Sequence, residues 1–257
     1  SHHGYCVLFR HGDGEKSLRK KGIDVSSHQR VINWEAARAD GIEFAMIRAG
    51  YGQNNIDAQF VRNISECNRF GIPCGVYWFS YARSVEDAKR EAEYCLRAVK
   101  GHRLEYPIAY DFEYDSVKSA ASAGITITKA MATSFVHAFC GAIEAAGYYA
   151  MNYTNSDFLS RYFDETTRKY DLWKAAWNTD FDDPPECGIW QWDGAPVKGI
   201  DTGNVDGNFA YRDYPAIIRA AGLNLLTEPV DAVGEAVKKI RASGGDSLLL
   251  ELAKIIT

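Results

Sequence analysis

The chain has 257 residues, of which 46% are hydrophobic and 25% charged, and 34 acidic against 29 basic residues give a formal charge of −5. These values are ordinary for a folded globular protein, and the length allows one large domain or two small ones. The mild acidity and the lack of a basic block argue against nucleic acid or anionic lipid as the main partner. No apolar run approaches the roughly 18–20 residues that a membrane-spanning helix needs, so no membrane partner is expected.

The N-terminus and the cysteines bear on the compartment in which the chain is made. The opening SHHG resembles an expression-tag remnant, and the apolar run YCVLF is too short for the core of a secretory signal. Residues 1–20 are therefore expected to be a tag remnant or N-terminal extension. The six cysteines are scattered without a C-x-x-C pair, which predicts free, buried thiols. We expect synthesis in the cytoplasm, without a visible signal peptide.

From residue 21 onward, short apolar runs alternate with helical patterns, which is typical of an α/β fold with a parallel sheet. Eight strands are predicted, at residues 22–26, 44–49, 74–80, 107–113, 148–153, 172–177, 188–192 and 205–211. The predicted limits of three helices are Asp57 and Gly71, then Ser84 (with Asp87 as a capping box) and Gly101, then Thr128 and Gly147. Because the gaps between the last strands are too short for helices, we expect a reduced TIM-like barrel, (β/α)5(β)3, over residues 21–222.

Residues 223–257 have a different character and predict an appended helical hairpin. The first helix opens at Thr227, and its apolar stripe consists of Val230, Val233, Val237 and Ile240. Gly244 and Gly245 break the pattern, and a second apolar helix is predicted from Asp246 to about Ile256. A unit of this size cannot hide that much apolar surface by itself, so the hairpin is expected to self-associate or to dock on the barrel.

Acidic residues interrupt the apolar runs at several predicted strand ends. Asp111 and Glu113 share a face of the fourth predicted strand, since side chains alternate along a strand. Asp24 and Asp206 interrupt the first and last strands, which are neighbours in a closed barrel, so these two acids are expected to approach each other. Crowded and partly buried carboxyls raise at least one pKa among them. A neutral carboxylic acid beside an ionised one is what glycosidic bond cleavage requires.

Aromatic residues gather at similar positions along the chain. They are Tyr51, Tyr77, Trp78, Phe79, Tyr81, Tyr153, Trp177, Trp190 and Trp192. Some are expected to pack the barrel, and others to form a platform for sugar rings, because Tyr and Trp combine an apolar face with a polar group. The histidines form no metal-like cluster and the sequence has no G-x-S-x-G elbow, so neither a zinc hydrolase nor a serine hydrolase is indicated.

A set of motifs in this order resembles the glycoside hydrolase family 25 lysozymes, the Chalaropsis-type muramidases of bacteria, phages and fungi. The motifs are GIDVSSHQ (22–29) with INW (32–34), FAMIRAGYG (44–52), GVYWFSYA (75–82), YPIAYDFE (106–113), YTN (153–155), WQW (190–192) and VDGN (205–208). One departure is Trp78, where many members carry His. The resemblance covers residues 22–214 and implies a (β/α)5(β)3 barrel.

The resemblance also implies an activity and a set of site residues. Members cleave the β-1,4 bond between N-acetylmuramic acid and N-acetylglucosamine in peptidoglycan, with no cofactor and no metal. Carried over by motif, Glu113 resembles the general acid/base, and Asp111 the partner that stabilises the oxocarbenium-like centre or steers the acetamido group. Asp24 and Asp206 resemble supporting acids that set charge and geometry. The expected substrate-binding residues are Tyr77, Tyr51, Tyr153, Trp177, Gln191, Phe79 and Arg48.

The expected partner is therefore the glycan strand of peptidoglycan, reached at the bacterial cell wall by phage-type release or secretion, as for an endolysin or autolysin. Two other functions stay open at this point. The barrel could be a wall-binding module without chemistry, or a chitinase-like glycosidase. The longer D-x-x-D-x-D-x-E signature of such chitinases is absent, since Ala109 stands two residues before Asp111. The C-terminal hairpin has wall targeting as a third expected role.

Overall fold

Nine β-strands form a single sheet within the residues that this computed structural model describes, which are 19–177, 179–226, 232–245 and 247. The strands are β1 (Lys20–Val25), β2 (Phe44–Tyr51), β3 (Asn55–Ile56), β4 (Cys74–Phe79), β5 (Ile108–Asp111), β6 (Ala150–Thr154), β7 (Asp171–Ala175), β8 (Ile189–Pro196) and β9 (Asn204–Ala210). The order is β1-β9-β8-β7-β6-β5-β4-β2, and β2 pairs back with β1, so eight strands close the predicted barrel. The two-residue β3 pairs antiparallel with the end of β2.

The last barrel strand runs against its neighbours. Pairs between the other barrel strands are parallel, whereas β9 is antiparallel to both β8 and β1. Residues 197–203 are all that join β8 to β9, and this length allows a hairpin but not the crossover that a parallel pair requires. The short gap was visible in the sequence, but the reversal of β9 was not predicted.

Eight α-helices lie in the described part of the chain, and the first six of them pack on the outer face of the barrel. The eight helices are α1 (Trp34–Ala39), α2 (Phe60–Phe70), α3 (Val85–Val99), α4 (Tyr114–Ser122), α5 (Lys129–Ala145), α6 (Ser156–Arg161), α7 (Tyr214–Ala220) and α8 (Ala232–Ala242). Three predicted helix signals are confirmed: Gly71 ends α2 in the left-handed conformation (φ 67°), and the Ser84 and Thr128 side chains cap α3 and α5. The start predicted at Asp57 is wrong, because α2 begins at Phe60. The α3 helix ends at Val99, two residues before the predicted Gly101.

Two layers of apolar side chains hold the barrel together. The outer layer lies between strands and helices and includes Trp78, Tyr110 and Phe139. Trp78 is fully buried there, and its Nε1 donates to the Gly52 carbonyl at 3.0 Å, so the departure at this position does not reach the cleft. The inner layer fills the barrel, and α7 contributes Tyr214 and Ile218 to it. Its packing leaves no room for a side chain at Gly22, because a Cβ there would overlap the Phe44 ring.

The strand predicted over residues 107–113 is too long at its end. β5 stops at Asp111, and Glu113 is the residue that precedes α4. The reason is local: the Glu113 backbone N–H donates to Ser116 Oγ at 3.0 Å, a capping arrangement that turns the chain into the helix. Glu113 therefore reaches the barrel mouth from a helix N-terminus and not by strand alternation.

The described part of the tail only partly covers the predicted hairpin. α8 falls within the first predicted helix, with Val237 and Ile240 half-buried and Lys239 exposed. The side chains of Val230 and Val233, and the second helix predicted from Asp246, lie outside the described residues. Among the helices described, none combines the length and apolarity needed to cross a membrane. Five cysteines are unpaired and buried, namely Cys67, Cys74, Cys95, Cys140 and Cys187, and Cys6 lies outside the described residues.

Candidate active site

The four predicted acids all lie at one end of the barrel, where the parallel strands have their carboxyl ends. Asp111 is the last residue of β5, and Glu113 follows it before α4. Asp24 lies near the end of β1, and Asp206 lies beside it on β9, because the register pairs Gly22 with Asn208 and runs antiparallel. The structure thus brings together Asp24 and Asp206, as expected from strand neighbourhood, and Asp111 and Glu113.

Asp111 and Glu113 form a carboxyl pair. Asp111 is only 5% exposed, and its carboxyl lies close enough to that of Glu113 for the two to affect each other's pKa. Burial, followed by the charge of Glu113, raises the pKa of Asp111 well above its ordinary value. Burial also raises the pKa of Glu113, helped by the negative charges of Asp115 and Asp206. The pair therefore keeps a proton at a pH where separate carboxyls have lost theirs.

Asp24 and Asp206 form a second pair. Burial and the charge of Asp206 raise the pKa of Asp24, although two amides stabilise its charged form. Gln191 Nε2 and Asn208 Nδ2 each donate to Asp24 Oδ2 at 2.8 Å. Burial also raises the pKa of Asp206, while a hydrogen bond from Asp24 opposes the shift. Two acid pairs in one barrel mouth create a region that attracts positive charge and holds protons.

Aromatic side chains orient the amides that hold Asp24. Tyr153 Oη donates to Gln191 Oε1 at 2.8 Å, and Trp177 Nε1 donates to the same oxygen at 3.2 Å. The second amide is held in the same way: Trp173 Nε1, on β7, donates to Asn208 Oδ1, on β9, at 2.8 Å. Since each amide oxygen accepts these bonds, each amide nitrogen is left to face Asp24.

Arg48 lies in the same mouth but is held by another acid. Its Nε donates to Asp57 Oδ2 at 2.8 Å, and its Nη2 donates to Ser27 Oγ at 3.2 Å. The Ser27 backbone N–H donates to the same Asp57 oxygen at 3.0 Å. Arg48 nevertheless favours the charged form of Asp111, and its guanidinium lies 5.1 Å from the Tyr51 ring centre. Its first role is thus to join the ends of β1 and β2.

Aromatic rings border the mouth on two sides. Tyr51, Phe79 and Tyr81 form a cluster that we call the aromatic rim, with ring centres 6.3 Å apart for Tyr51–Tyr81 and 5.1 Å for Phe79–Tyr81. Trp177, which follows β7, and Tyr114, at the start of α4, are each 51% exposed. Tyr77, the remaining predicted contact, points inward with its hydroxyl 3.5 Å from the Val25 carbonyl oxygen. Trp177, Tyr114 and Tyr81 thus expose ring surface at the mouth.

Three residues of this site were missed by sequence reasoning. Asn208 stands two residues after Asp206 and shares its strand face, so the alternation of β9 was a usable signal. Tyr114 directly follows Glu113, and its hydroxyl donates to Asp157 Oδ2 at 2.6 Å. Trp173 has no local signal, because its amide partner comes from a strand 35 residues away.

One cavity adjoins the mouth, and a second lies away from it. A small one of about 80 Å³ lies directly beside Glu113, between the ends of β5, β6 and β7. A larger one of about 580 Å³ lies on the outer side, between α1, α2 and the turn that follows β8, and none of the four acids lines it. Among the described side chains, no group of three or more His, Cys, Asp or Glu is arranged to hold a metal ion.

Comparisons with known proteins agree with this geometry. The sequence profile of the glycosyl hydrolases family 25 matches residues 23–200. Lysozyme M1 from Streptomyces globisporus is 27% identical over 164 residues, which are 62% of this chain and 48% of that protein. An autolytic lysozyme from Clostridium acetobutylicum is 25% identical over 188 residues, 72% of this chain and 54% of that protein. The structure of the modular autolysin LytC from Streptococcus pneumoniae is similar over 74% of this chain and 46% of that chain, with a TM-score of 0.65 and 27% identity.

A reduced α/β barrel with an acid-lined, aromatic-bordered mouth has the framework of a glycoside hydrolase. Because the profile match extends over more than half of its length, the chain belongs to glycosyl hydrolase family 25. It spans about half the length of the curated relatives that it matches.

Proposed function

We propose that the protein is an N-acetylmuramidase, which cleaves the β-1,4 bond between N-acetylmuramic acid and N-acetylglucosamine in peptidoglycan by carboxylate acid/base catalysis. The observation that carries the proposal is the buried Asp111–Glu113 pair at the barrel mouth. Family membership supports hydrolysis of a glycosidic bond. The two lysozyme relatives, and a structure of LytC in complex with a synthetic peptidoglycan ligand, support peptidoglycan as the partner and the bacterial wall as the place of action.

Glu113 acts as the general acid because it is the member of the pair that reaches the open mouth. Asp111 is almost fully buried, whereas Glu113 is partly exposed and lines the small cavity. Because burial raises the pKa of both carboxyls, the pair holds a proton at a higher pH than separate carboxyls do. Glu113 gives this proton to the glycosidic oxygen as the bond breaks, and then takes one from the attacking water.

Asp111 acts from the same side of the substrate as Glu113. The two carboxyls that flank a scissile bond are about 5–5.5 Å apart in retaining glycosidases and about 6.5–9.5 Å apart in inverting ones. Asp111 and Glu113 act on each other at close range, the charge of Glu113 raising the pKa of Asp111, so the two carboxyls do not face each other across a sugar ring. Asp111 therefore shares the proton with Glu113 and presents its charge to the oxocarbenium-like centre or to the acetamido group.

The other residues of the mouth support this chemistry without taking part in the proton transfer by Asp111 and Glu113. Asp24 and Asp206 add negative charge that favours a developing cation, and Gln191 fixes the orientation of Asp24. Tyr51 and Phe79 on one side and Trp177 on the other offer apolar faces for sugar rings. Burial raises the pKa of all four carboxyls, so each of them lowers the stability of the fold when it is ionised. A wall-binding module without activity would have no use for such groups.

The test is hydrolysis of purified bacterial walls. The expected result is a fall in turbidity, together with new reducing ends of N-acetylmuramic acid in the products. New N-acetylglucosamine reducing ends would instead support the chitinase-like function. Wall binding by a folded protein that releases no reducing ends would support the non-catalytic module and contradict the proposal.

A further inference from the structure

Glu91 is a fully buried carboxyl that the proposed reaction does not use. It lies on the inner face of α3 and is 0% exposed. Its Oε1 lies 2.6 Å from Ser80 Oγ, and its Oε2 accepts a hydrogen bond from the Tyr81 backbone N–H at 2.9 Å. Both partners belong to the segment that leaves β4 at the barrel mouth. A buried carboxyl needs hydrogen-bond partners. Glu91 finds them in this segment, so the contact between α3 and the segment is specific.

Ser80 passes this contact on to the end of β5. Its backbone N–H donates to the Asp111 carbonyl at 2.8 Å. Its Oγ lies 2.8 Å from the Tyr110 hydroxyl and accepts from the Ala82 backbone N–H at 3.1 Å. Ser80 therefore holds two consecutive residues of β5, of which Tyr110 points outward and Asp111 carries the carboxyl of the pair. Beyond Asp111 the strand ends, so no further ladder bond restrains it on this side.

The same segment carries part of the aromatic rim. Tyr81 is held through its backbone N–H, and its ring packs against Phe79 and Tyr51. The buried side chain of Glu91 is thus connected through hydrogen bonds to both the acid pair and the aromatic rim.

We propose that Glu91 is a positioning residue, which fixes Asp111 and the aromatic rim through its hydrogen bonds to Ser80 and Tyr81. The proposal rests on the proposed function, because it assigns Asp111 to the reacting centre. Glu91 touches neither Asp111 nor the mouth, and it acts through the segment that follows β4.

The hydrogen-bond pattern, and not the charge, is what Glu91 supplies. Burial raises the pKa of Glu91 to about 8, so the side chain is protonated near pH 7. Ser80 Oγ donates to the ionised carboxylate, but protonation of Glu91 reverses this bond. The protonated acid then donates to Ser80 and accepts from the Tyr81 N–H, and Ser80 donates onward to Tyr110. A glutamine has the same shape, with an NH2 group that can donate to Ser80 and an oxygen that can accept from the Tyr81 N–H. It is therefore expected to take over the role, whereas a leucine of similar size is not.

The experiment compares Glu91→Gln, Glu91→Leu and Ser80→Ala with the parent protein, and uses Glu93→Leu as the control. Glu93 is exposed on the same helix, two residues from Glu91. Each folded variant is assayed for kcat and KM on a soluble glycan fragment. We expect Glu91→Leu and Ser80→Ala to lower kcat by roughly 10–100-fold, since small displacements of catalytic groups have effects of this size. Glu91→Gln and Glu93→Leu should keep most of the activity.

A second readout, independent of activity, is the titration of the Asp111–Glu113 carboxyls followed by ¹³C NMR. We expect it to shift in Glu91→Leu and Ser80→Ala but not in Glu91→Gln. An unchanged kcat and titration in folded Ser80→Ala would overturn the proposal, even if Glu91→Leu fails to fold. Equal losses in Glu91→Gln and Glu91→Leu would also overturn it. If the parent protein is inactive on every glycan, the proposed function fails, and the titration alone decides the positioning role.

Discussion

Replacing Glu113 by glutamine keeps the size of the side chain but removes the proton that the Asp111–Glu113 pair shares. We expect Glu113→Gln to lower kcat by roughly 10²–10⁴-fold or more, because a positioned general acid contributes on that scale. The fold should be unaffected, since a neutral amide replaces an acid whose burial already raises its pKa. Wall clearing by the folded variant is the measurement, and exposed Glu35→Gln is the control. Near-normal clearing would contradict the assignment of Glu113.

Asp24 offers a test of what its burial costs. Burial and Asp206 raise the pKa of Asp24, so its folded form is most stable below the ordinary pKa of an aspartate and loses stability as pH rises through the raised value. An asparagine keeps the oxygen that accepts from Gln191 and Asn208, and turns its amide toward Asp206. We expect Asp24→Asn to raise Tm at pH 7 by about 2–4 °C, which corresponds to about 1 kcal/mol for a domain of this size.

The gain from Asp24→Asn should vanish near pH 3, where Asp24 is protonated in both states, and activity should fall at every pH. Thermal unfolding at the two pH values is the measurement, with exposed Asp201→Asn as the matched control. An Asp24→Asn protein less stable than its parent at pH 7 would show that the carboxylate contributes net stability.

Sequence reasoning identified the acids of the site better than their partners. Asp24 and Asp206 were paired by one topological step, the closure of the barrel between first and last strands. The Arg48–Asp57 ion pair follows from no local pattern, because the hairpin that β3 makes with the end of β2 brings Asp57 back to Arg48. Contacts that depend on such a return of the chain cannot be predicted from local sequence patterns.

At the level of elements, the start of α4 determines where Glu113 lies. The Glu113 backbone N–H donates to Ser116 Oγ, and Ser116 is buried. We expect Ser116→Ala to destabilise the fold by about 1 kcal/mol, as other lost caps do, and to lower kcat by a larger factor than the change in folded fraction explains. Ser122→Ala, at the other end of the same helix, serves as the control. Equal kinetics for the two variants would mean that the cap does not position Glu113.

Elements whose ends are marked by local chemistry were predicted better than elements whose limits depend on their neighbours. The end of α2 and the starts of α3 and α5 were visible because glycine and hydroxyl side chains mark helix ends by local chemistry. The apolar run through Asp111 continues into Phe112, so periodicity alone extended the strand across Glu113. The direction of β9 depends on the length of the connection after β8, a property of two elements together.

Over the whole molecule, buried acids make stability depend on pH in one direction. Burial raises the pKa of Glu91 from 4.5 to about 8, so the folded chain binds a proton there that the unfolded chain has lost. Stability from this group is complete below about pH 4.5 and is lost as pH rises toward 8. We expect Glu91→Gln to flatten the decline between these values, measured by urea unfolding at pH 5 and pH 8. Glu93→Gln should leave the slope unchanged, and an equal slope in all three proteins would contradict the prediction.

Asn224 supports the proposal that the boundary between barrel and tail lies a few residues later than residue 223. The predicted hairpin begins at residue 223, but Asn224 is buried against the barrel, where its Nδ2 donates to the Leu104 and Tyr106 carbonyls at 3.1 and 3.0 Å. Its Oδ1 also accepts from the Tyr149 N–H at 2.9 Å. Truncation after Leu223 is therefore expected to lower Tm, because it leaves buried backbone groups unpaired, whereas truncation after Leu226 should not. Equal melting of the two truncated proteins would contradict this boundary.

The residues after Leu226 then provide a separate test of association. Val237 and Ile240 lie half-buried on one side of α8, and the sequence beyond it carries more apolar residues than a short helical unit can cover. We expect truncation after Leu226 to halve the mass measured by light scattering while Tm stays constant, because the tail pairs with a second copy of itself. A lower Tm at constant mass would instead mean that the tail docks on the barrel, and weaker retention on intact walls alone would mean wall targeting. If mass, melting and wall retention all match those of the full chain, the tail does not associate, and its apolar residues have no partner in the molecule or on the wall.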